Sequence, residues 1–429
     1  MKVGIISLGC AKNQVDTEQM LSLLTKAGYT FTGEPAEAEI LIVNTCGFIA
    51  SAKEESIDAI LEMAEYKKTG KCRVLCATGC LVQRYREDLR EQIPEIDCLL
   101  GCYSYDQIVP AVESALKGKR MDVQLEKRAF LECGRVLTTP SYSAYVRIGE
   151  GCNNRCAYCA IPLIRGSYRS RPRESVLNEM RTLAQNGAKE QILIAQDTSV
   201  WGTDIHDNIA SLMDEACRID GIDWLRVLYM YPDEIDISLL EKMAKQPKIC
   251  KYLDLPLQHA SPALLKKMNR RGSMESTRKL LLTARDMGFT LRTTFIVGFP
   301  GETEDDFRRL MDFTQEIEFD RMGAFAYSPE EDTPAYDFPD QIDEEIKQQR
   351  LDELMTLQAR ISLQHNQRRV GTEEKVLITG PLTGRSEKEA PDADGEIRLI
   401  SKEPTEEGKF VRVKITEADT YDLTGKVIG

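Results

Sequence analysis

Apolar runs alternate with amphipathic stretches through the first 118 residues. The runs that predict strands are KVGIISL (2–8), EILIVNT (39–45), CRVLCAT (72–78) and DCLL (97–100), and those that predict helices lie at about 13–27, 50–68 and 82–92. Alternating βα units place parallel strands between layers of helices. We therefore expect an N-terminal parallel-sheet α/β domain over residues 1–118, followed by a charged and then Thr/Pro/Ser-rich linker over 119–140.

The same alternation continues over residues 141–366. Six strands are predicted, at 144–149, 191–196, 225–230, 252–257, 293–299 and 322–327, and a long charged helix at about 341–367 closes the region. Six consecutive βα units predict a (β/α)6-type partial TIM barrel, with an active site at the carboxyl ends of its strands.

The pattern changes again over residues 367–429. Four short alternating runs, EKVLITG, GEIRLIS, KFVRVKITEA and LTGKVIG, are separated by glycine-containing turns. This pattern predicts a small antiparallel β-barrel.

Composition narrows the chemistry. The 429-residue chain carries a net charge of −13, which disfavours non-specific binding to nucleic acid. We find neither a signal peptide nor an apolar stretch long enough to cross a membrane, and expect a cytoplasmic protein that does not bind membranes. In that compartment the 13 cysteines are fillers, metal ligands or reactive thiols rather than disulfides.

Three of these cysteines form a compact motif directly after the first predicted barrel strand. In GEGCNNRCAYCAIP (149–162) they are Cys152, Cys156 and Cys159. Three thiolates can bind three irons of a 4Fe–4S cluster and leave the fourth iron open to chelate S-adenosylmethionine (SAM). A zinc knuckle or simple burial are the alternatives, although zinc normally takes four ligands. Tyr158 lines the SAM site or only packs.

This spacing, with its glycine-rich turn and the aromatic residue before the last cysteine, resembles the radical SAM superfamily. The segment FIVGFPGETEDDF (295–307) is similar to the glycine-bearing fifth strand of that superfamily, which lies beside SAM. The resemblance implies that Gly298 and Glu302 belong to the SAM region.

A second set of cysteines follows strands of the N-terminal domain. Cys10, Cys46 and Cys80 each come after a predicted strand and next to a glycine. Parallel sheets bind ligands at the carboxyl ends of their strands, so a shared site is expected; three unrelated thiols are the alternative. Cys102 is the one competitor as a ligand, whereas Cys72 and Cys76 are interpreted as buried fillers.

The motifs LGCAKNQVDTEQ, NTCGFI and TGCLVQR around Cys10, Cys46 and Cys80 resemble those of the methylthiotransferases. Members of this family join such a domain to a radical SAM barrel and a C-terminal TRAM barrel, and the resemblance covers essentially the whole chain. It implies a second 4Fe–4S cluster at Cys10, Cys46 and Cys80.

The family divides by substrate. One branch modifies adenosine in tRNA, and the other an aspartate of ribosomal protein S-twelve. IPLIRGSYRSRP (161–172), ILIAQDTSVWG (192–202) and YLDLPLQHAS (252–261) resemble the second branch. Residues 368–429 hold 11 Lys and Arg against 13 Asp and Glu, and this net charge of −2 suits a basic protein better than tRNA. A tRNA enzyme and a non-catalytic Fe–S or ribosome-binding protein stay as alternatives.

The resemblance implies a reaction with two molecules of SAM. One donates a methyl group to sulfur at the N-terminal cluster, and the other gives the radical that removes hydrogen from the β-carbon of the aspartate. An electron donor such as flavodoxin or ferredoxin is expected. The basic run Arg165, Arg169, Arg171 and Arg173 either faces the substrate or is a solvated charge run. We expect His259, at the end of the fourth barrel strand, to face the active site.

Overall fold

The computed structural model describes residues 1–125, 130–401 and 404–429, which form two compact units. Unit 1 consists of Met1–Thr139, Gly149–Arg171 and Ser328–Tyr336, and unit 2 of Pro140–Ile148, Pro172–Tyr327 and Asp337–Gly429. Part of the predicted linker, residues 126–129, lies outside the described residues. Among the residues described, none of the helices is both long and apolar enough to cross a bilayer.

Unit 1 contains a six-stranded parallel sheet in the order β2-β1-β3-β4-β5-β6. Its strands are β1 (Lys2–Ser7), β2 (Thr30–Phe31), β3 (Ile40–Thr45), β4 (Val74–Gly79), β5 (Cys98–Leu100) and β6 (Met121–Val123). Its main helices are α1 (Ala11–Lys26), α2 (Ala50–Thr69), α3 (Cys80–Gln92) and α4 (Ile108–Leu116). Strands β3 and β4 are buried along their whole length, because helices cover both faces of a parallel sheet.

The predicted α/β domain is therefore confirmed, with two edge strands added. Neither β2 nor β6 carries an apolar run of the kind that predicts a strand, and β2 is exposed at both residues. Strand β6 lies within the segment 119–140 that the sequence assigns to a linker.

Unit 2 begins with β7 (Ser143–Arg147), the first barrel strand. The chain then enters unit 1 as a loop of two short strands, β8 (Gly149–Glu150) and β9 (Arg169–Ser170), with helix α5 (Ile161–Arg165) between them. We call residues 149–171 the cysteine loop.

The rest of the (β/α)6 barrel follows in unit 2. Its strands are β10 (Glu190–Ile194), β11 (Trp224–Val227), β12 (Tyr252–Gln258), β13 (Thr290–Val297) and β14 (Arg321–Ala326). Its helices are α6 (Arg173–Gln185), α7 (Ile209–Ala216), α8 (Ile237–Lys245), α9 (Pro262–Lys267), α10 (Met274–Asp286), α11 (Glu304–Ile317) and α12 (Glu344–Arg369). The six strands form two parallel three-stranded sheets, β11-β10-β7 and β12-β13-β14, which confirms a partial barrel.

A closed five-stranded barrel ends the chain, in the order β15-β16-β17-β19-β18. Its strands are β15 (Glu373–Gly380), β16 (Thr383–Ser386), β17 (Ile397–Ile400), β18 (Phe410–Ala418) and β19 (Leu423–Val427). The predicted small barrel is confirmed; β17 and β19 pair in parallel, while its other pairs are antiparallel.

The C-terminal barrel is fixed to the amino ends of the (β/α)6 strands. Glu190, the first residue of β10, accepts hydrogen bonds from Arg385 Nη1 at 2.9 Å and from Arg226 Nε at 3.1 Å. Tyr252, the first residue of β12, donates to Asp394 at 2.6 Å. These contacts leave the carboxyl ends of the strands for chemistry.

Candidate functional site

The three N-terminal cysteines predicted to share a site lie together in unit 1. Cys10 precedes α1, Cys46 follows β3 and Cys80 opens α3, so all three lie at the carboxyl edge of the adjacent strands β1, β3 and β4. Cys10 and Cys80 are close enough for their thiolate charges to act on the Cys46 thiol. Cys80 is the first residue of α3, and the partial positive charge of a helix N-terminus favours a thiolate at that position.

The glycines beside these cysteines leave no room for a side chain. A Cβ on Gly9 (φ +89°) would lie 2.9 Å from Cys46 Cβ, and one on Gly79 (φ +99°) would lie 2.5 Å from Asn44 Oδ1. On Gly47 it would meet the backbone of Leu81 at 2.9 Å. The backbone therefore packs closely around the thiols, which only glycine allows at these three positions.

Polar side chains fix the positions of these thiols. Ser56 Oγ accepts from Cys46 N at 3.0 Å and donates to Cys46 O at 2.9 Å. Asn13 Nδ2 donates to Leu8 O at 3.0 Å and to Thr45 O at 2.9 Å, which joins α1 to the ends of β1 and β3. Neither Asn13 nor Ser56 was singled out from the sequence, although Asn13 lies inside the LGCAKNQVD motif.

The thiols differ in acidity. Burial, together with the neighbouring Cys80, raises the pKa of Cys46 to about 12. A hydrogen bond with Cys102 and the positive charge of Arg165 outweigh burial at Cys80 and lower its pKa to about 6. The lowered pKa favours the thiolate form of Cys80, which is the form that binds metals.

Cys102, the other candidate ligand, lies beside Cys80. Its Sγ lies 3.9 Å from Cys80 Sγ, and both thiols pack in a small apolar cluster with Ala160 and Ile164. Cys76 is fully buried within β4, as the sequence predicts for a filler. Cys72 is also buried, but lies two residues before that strand rather than within it.

Cys152, Cys156 and Cys159 lie on the cysteine loop. Cys152 N donates to Gly166 O at 3.1 Å, and Cys159 N to Cys156 O at 3.0 Å, which curls the loop. A Cβ on Gly151 (φ +77°) would lie 2.3 Å from Ser167 O. Cys156 is buried, whereas Cys152, Cys159 and Tyr158 are half-buried.

The donor set suits Fe–S clusters better than single ions. Within the described ranges, no three His, Cys, Asp or Glu side chains converge closely enough to hold one metal ion. A 4Fe–4S cluster is larger than one ion, and its ligands are thiolates standing further apart. Two sets of three cysteines, each on backbone that glycine compacts, fit such a group. As ligands of two clusters, the six cysteines stay a prediction.

The interpretation of the basic run as a solvated charge run is wrong at Arg165 and Arg171, because both side chains are buried. Contact of the run with a substrate stays a prediction. Arg165 is 2% exposed and Arg171 6%, and each is bound to carboxylates of unit 1. Arg169 lies over the rings of Tyr103 and Phe130. Alternation of arginine with small residues could not reveal this, because the acidic partners lie far away in sequence.

The predicted SAM-region residues Gly298 and Glu302 lie in unit 2. Glu302 is 3% exposed and accepts from Gly298 N, and its carboxylate lies 3.5 Å from both His259 Nε2 and Arg350 Nη1. Thr303 caps α11 in a capping box with Asp306. Contact of Gly298, Glu302 or Tyr158 with SAM stays a prediction.

His259 does not face an open site, contrary to expectation. It is fully buried, and its Nδ1 accepts from Ser261 N at 2.9 Å. The preceding Gln258, the last residue of β12, has φ +75°, in the left-handed region that few residues other than glycine adopt.

Comparisons with known proteins match three parts of the chain to family models. An uncharacterized protein family (UPF0004) matches residues 2–101, the radical SAM superfamily 146–314 and the TRAM domain 370–428.

Full-length relatives are similar to the whole chain, and each is a ribosomal protein uS12 methylthiotransferase RimO. That of Desulforamulus reducens is 48% identical over 99% of this chain and 99% of its own length. Those of Heliobacterium modesticaldum and Geobacter sulfurreducens are 47% and 45% identical over all of this chain and 95% and 98% of their own.

Solved structures share the fold. The radical SAM methyltransferase TsrM from Kitasatospora setae superposes with a TM-score of 0.58 at 15% identity, covering 78% of this chain and 74% of that chain. The cobalamin-dependent SAM radical enzyme OxsB gives 0.52 at 13% identity, covering 83% and 56%.

Proposed function

The chain belongs to the RimO family of ribosomal protein uS12 methylthiotransferases, and on this premise we propose that it attaches a methylthio group to the β-carbon of an aspartate in that ribosomal protein. The observation that carries the proposal is the meeting of Cys10, Cys46 and Cys80 at one sheet edge of unit 1. A radical SAM enzyme that only cleaves SAM needs one set of three cysteines, whereas sulfur insertion needs a second place to hold sulfur.

The chain's own residues would divide the work as follows. Cys152, Cys156 and Cys159 would hold one cluster, and Cys10, Cys46 and Cys80 the other. When bound, these clusters supply the electron that cleaves SAM and the sulfur that is inserted. Cys152 and Cys159 are half-buried and would be accessible to a cofactor at the surface of the loop, while the buried Cys156 would bind the cofactor from inside the loop.

A radical is required because the target C–H bond is unactivated. No side chain with a pKa near neutrality can remove a proton from the β-carbon of an aspartate. We propose that the electron comes from a flavodoxin- or ferredoxin-type protein, and that the reaction takes place in the cytoplasm with the ribosome. The acidic balance of residues 368–429 supports a basic protein substrate rather than tRNA.

The test is an anaerobic assay with the reconstituted full chain, SAM, a reductant and a uS12 peptide. We expect the intact mass of the peptide to rise by one methylthio group in place of hydrogen. Replacement of the target aspartate by asparagine in the peptide is the matched control, and should abolish the mass change if the site is correct.

Two outcomes would contradict the proposal. Loss of a tRNA modification, with uS12 unchanged, in a strain lacking this gene would assign the chain to the tRNA branch. Failure to release 5′-deoxyadenosine from SAM after reduction would point instead to an Fe–S protein without catalytic activity.

A further inference from the structure

Arg165 presents its guanidinium to a predicted cluster ligand from an almost fully buried position. Its Nη2 lies 3.4 Å from Cys80 Sγ, 2.6 Å from Asn13 Oδ1 and 3.0 Å from Asp16 Oδ2. Its Nη1 lies 3.3 Å from Glu150 Oε2. Arg165 thus joins a thiol, an amide and two carboxylates.

A structural ion pair alone does not account for this arrangement. One carboxylate compensates a buried guanidinium, yet Asp16 and Glu150 are both present, 0% and 4% exposed. With two carboxylates the cation is fully compensated, yet Nη2, whose two N–H groups are shared among Asn13, Asp16 and Cys80, still lies within hydrogen-bond distance of the sulfur. A hydrogen bond to sulfur is strong when the sulfur is a thiolate, which is the state of a cluster ligand.

The helix that carries Arg165 is held against the same thiol. Ala160 and Ile164 pack on Cys80 and Cys102. The hydroxyl of Tyr103 donates to the carbonyl oxygen of Arg165. The guanidinium therefore has a fixed position, which a long side chain on a mobile loop would lack.

We propose that Arg165 is a positioning residue for the cluster at Cys10, Cys46 and Cys80. Its hydrogen bond orients Cys80, and its positive charge raises the reduction potential of that cluster. Hydrogen bonds to ligand sulfurs and nearby charge are the means by which a protein sets the potential of an Fe–S cluster. The inference rests on the proposed function, since that function includes this cluster.

Removing the guanidinium has two effects of the same sign. The sulfur loses a donor, and the carboxylates of Asp16 and Glu150 lose their compensation next to an anionic cluster. Both effects favour the oxidised cluster, so the potential falls.

The experiment isolates the N-terminal cluster in the full-length chain. Cys152, Cys156 and Cys159 are replaced by alanine, the protein is reconstituted anaerobically, and the cluster is titrated with reductant while the EPR signal of the reduced state is followed. Arg165→Met and Arg165→Lys are made in this background. Arg135→Met is the matched control, because Arg135 is also a buried guanidinium bound to α1, through Glu18 rather than a cysteine.

We expect the midpoint potential to shift downward in the Arg165→Met protein, by less in Arg165→Lys, and not in Arg135→Met. Unchanged potentials in both Arg165 variants, or an equal shift in Arg135→Met, would overturn the inference. If Arg165→Met takes up no iron, the midpoint potential of Arg165→Lys tests the inference instead. An ammonium retains the positive charge, but it lacks the planar guanidinium that contacts the sulfur, the amide and the carboxylates together.

The same series separates this inference from the proposed function. A parent protein with alanine at 152, 156 and 159 that binds no iron would refute the N-terminal cluster itself. If the parent binds iron and its midpoint potential is the same as in the Arg165 variants, only the role of Arg165 would be refuted.

Discussion

Replacing Glu190 by glutamine tests how the C-terminal barrel is fixed to the (β/α)6 barrel. Glu190 is fully buried in unit 2 and accepts from Ser143 Oγ at 3.0 Å, in addition to Arg226 and Arg385. Glutamine has nearly the same shape but carries no charge. The two guanidinium groups would then be left buried without their shared counter-ion.

The expected loss follows from the acidity of this carboxyl. Burial would raise the pKa of Glu190, but Arg385 and Arg226 outweigh burial and lower it from 4.5 to about 2. A pKa lowered from 4.5 to about 2 corresponds to roughly 3 kcal/mol, since a tenfold change in the acid dissociation constant is worth about 1.4 kcal/mol. Breaking a buried ion pair typically costs about 3–5 kcal/mol, which agrees.

The shift also fixes a pH dependence. Because folding lowers the pKa of Glu190, the contribution of its carboxylate to the free energy of unfolding is complete above pH 4.5 and is lost as the pH falls towards 2. The difference in unfolding free energy between the parent and Glu190→Gln should therefore shrink as the pH is lowered from neutrality towards about 3.

Tryptophan fluorescence provides the assay. The two tryptophans of the chain, Trp201 and Trp224, both lie buried in unit 2, so urea unfolding followed by their emission reports on that unit. Glu241→Gln is the matched control, since Glu241 pairs with Lys245 at the surface and should cost at most about 1 kcal/mol. A loss below about 1 kcal/mol for Glu190→Gln, or one that does not depend on pH, would refute the reasoning.

Three further predictions concern unit 1. Cys80→Ala should halve the iron of the reconstituted protein, from about eight atoms to about four, and should abolish methylthiolation while SAM is still cleaved. Cys102→Ser should keep the full iron content. Equal iron loss in both variants would make Cys102 a ligand. Gly79 has φ +99° and no space for a Cβ, so Gly79→Ala should lower the free energy of unfolding by about 1–3 kcal/mol and should also reduce iron uptake. Normal iron binding, measured by absorbance, would contradict the conclusion that the backbone here has no room for a side chain. Glu330→Gln removes the buried partner of Lys53 and Arg84 and should destabilise unit 1 by about 3 kcal/mol, measured by thermal unfolding; an unchanged midpoint would show that the pair contributes little.

The sequence pattern was sufficient to locate a helix or strand where that element buries one continuous apolar face. The apolar runs located β1, β3, β4 and all six barrel strands within a few residues, because strands of a parallel sheet covered by helices are predominantly apolar. The short strands β2, β6 and β16 were missed, since none of them has an apolar run of the length that distinguishes a strand.

The cysteines and their glycines could be found from sequence because their spacing has few physical explanations. The burial and contacts of Arg165 could not be found from sequence, because its partners lie at positions 13, 16 and 80, which only the fold brings together. Burial of His259 was equally hidden: a histidine at the end of a barrel strand looks the same in sequence whether it points outward or back into the turn.

The division into units has a consequence for synthesis of the protein. Unit 1 draws on three separate segments, the last of which ends at Tyr336. A chain emerging from the ribosome cannot complete this unit when residue 118 or 139 appears, since the cysteine loop and Ser328–Tyr336 are still missing. Until then the buried carboxylate of Asp16 lacks Arg165, and Cys80 lacks the helix that covers it. Completion of unit 1, which contains all six cysteines of the two motifs, is thereby delayed until most of the polypeptide has been made.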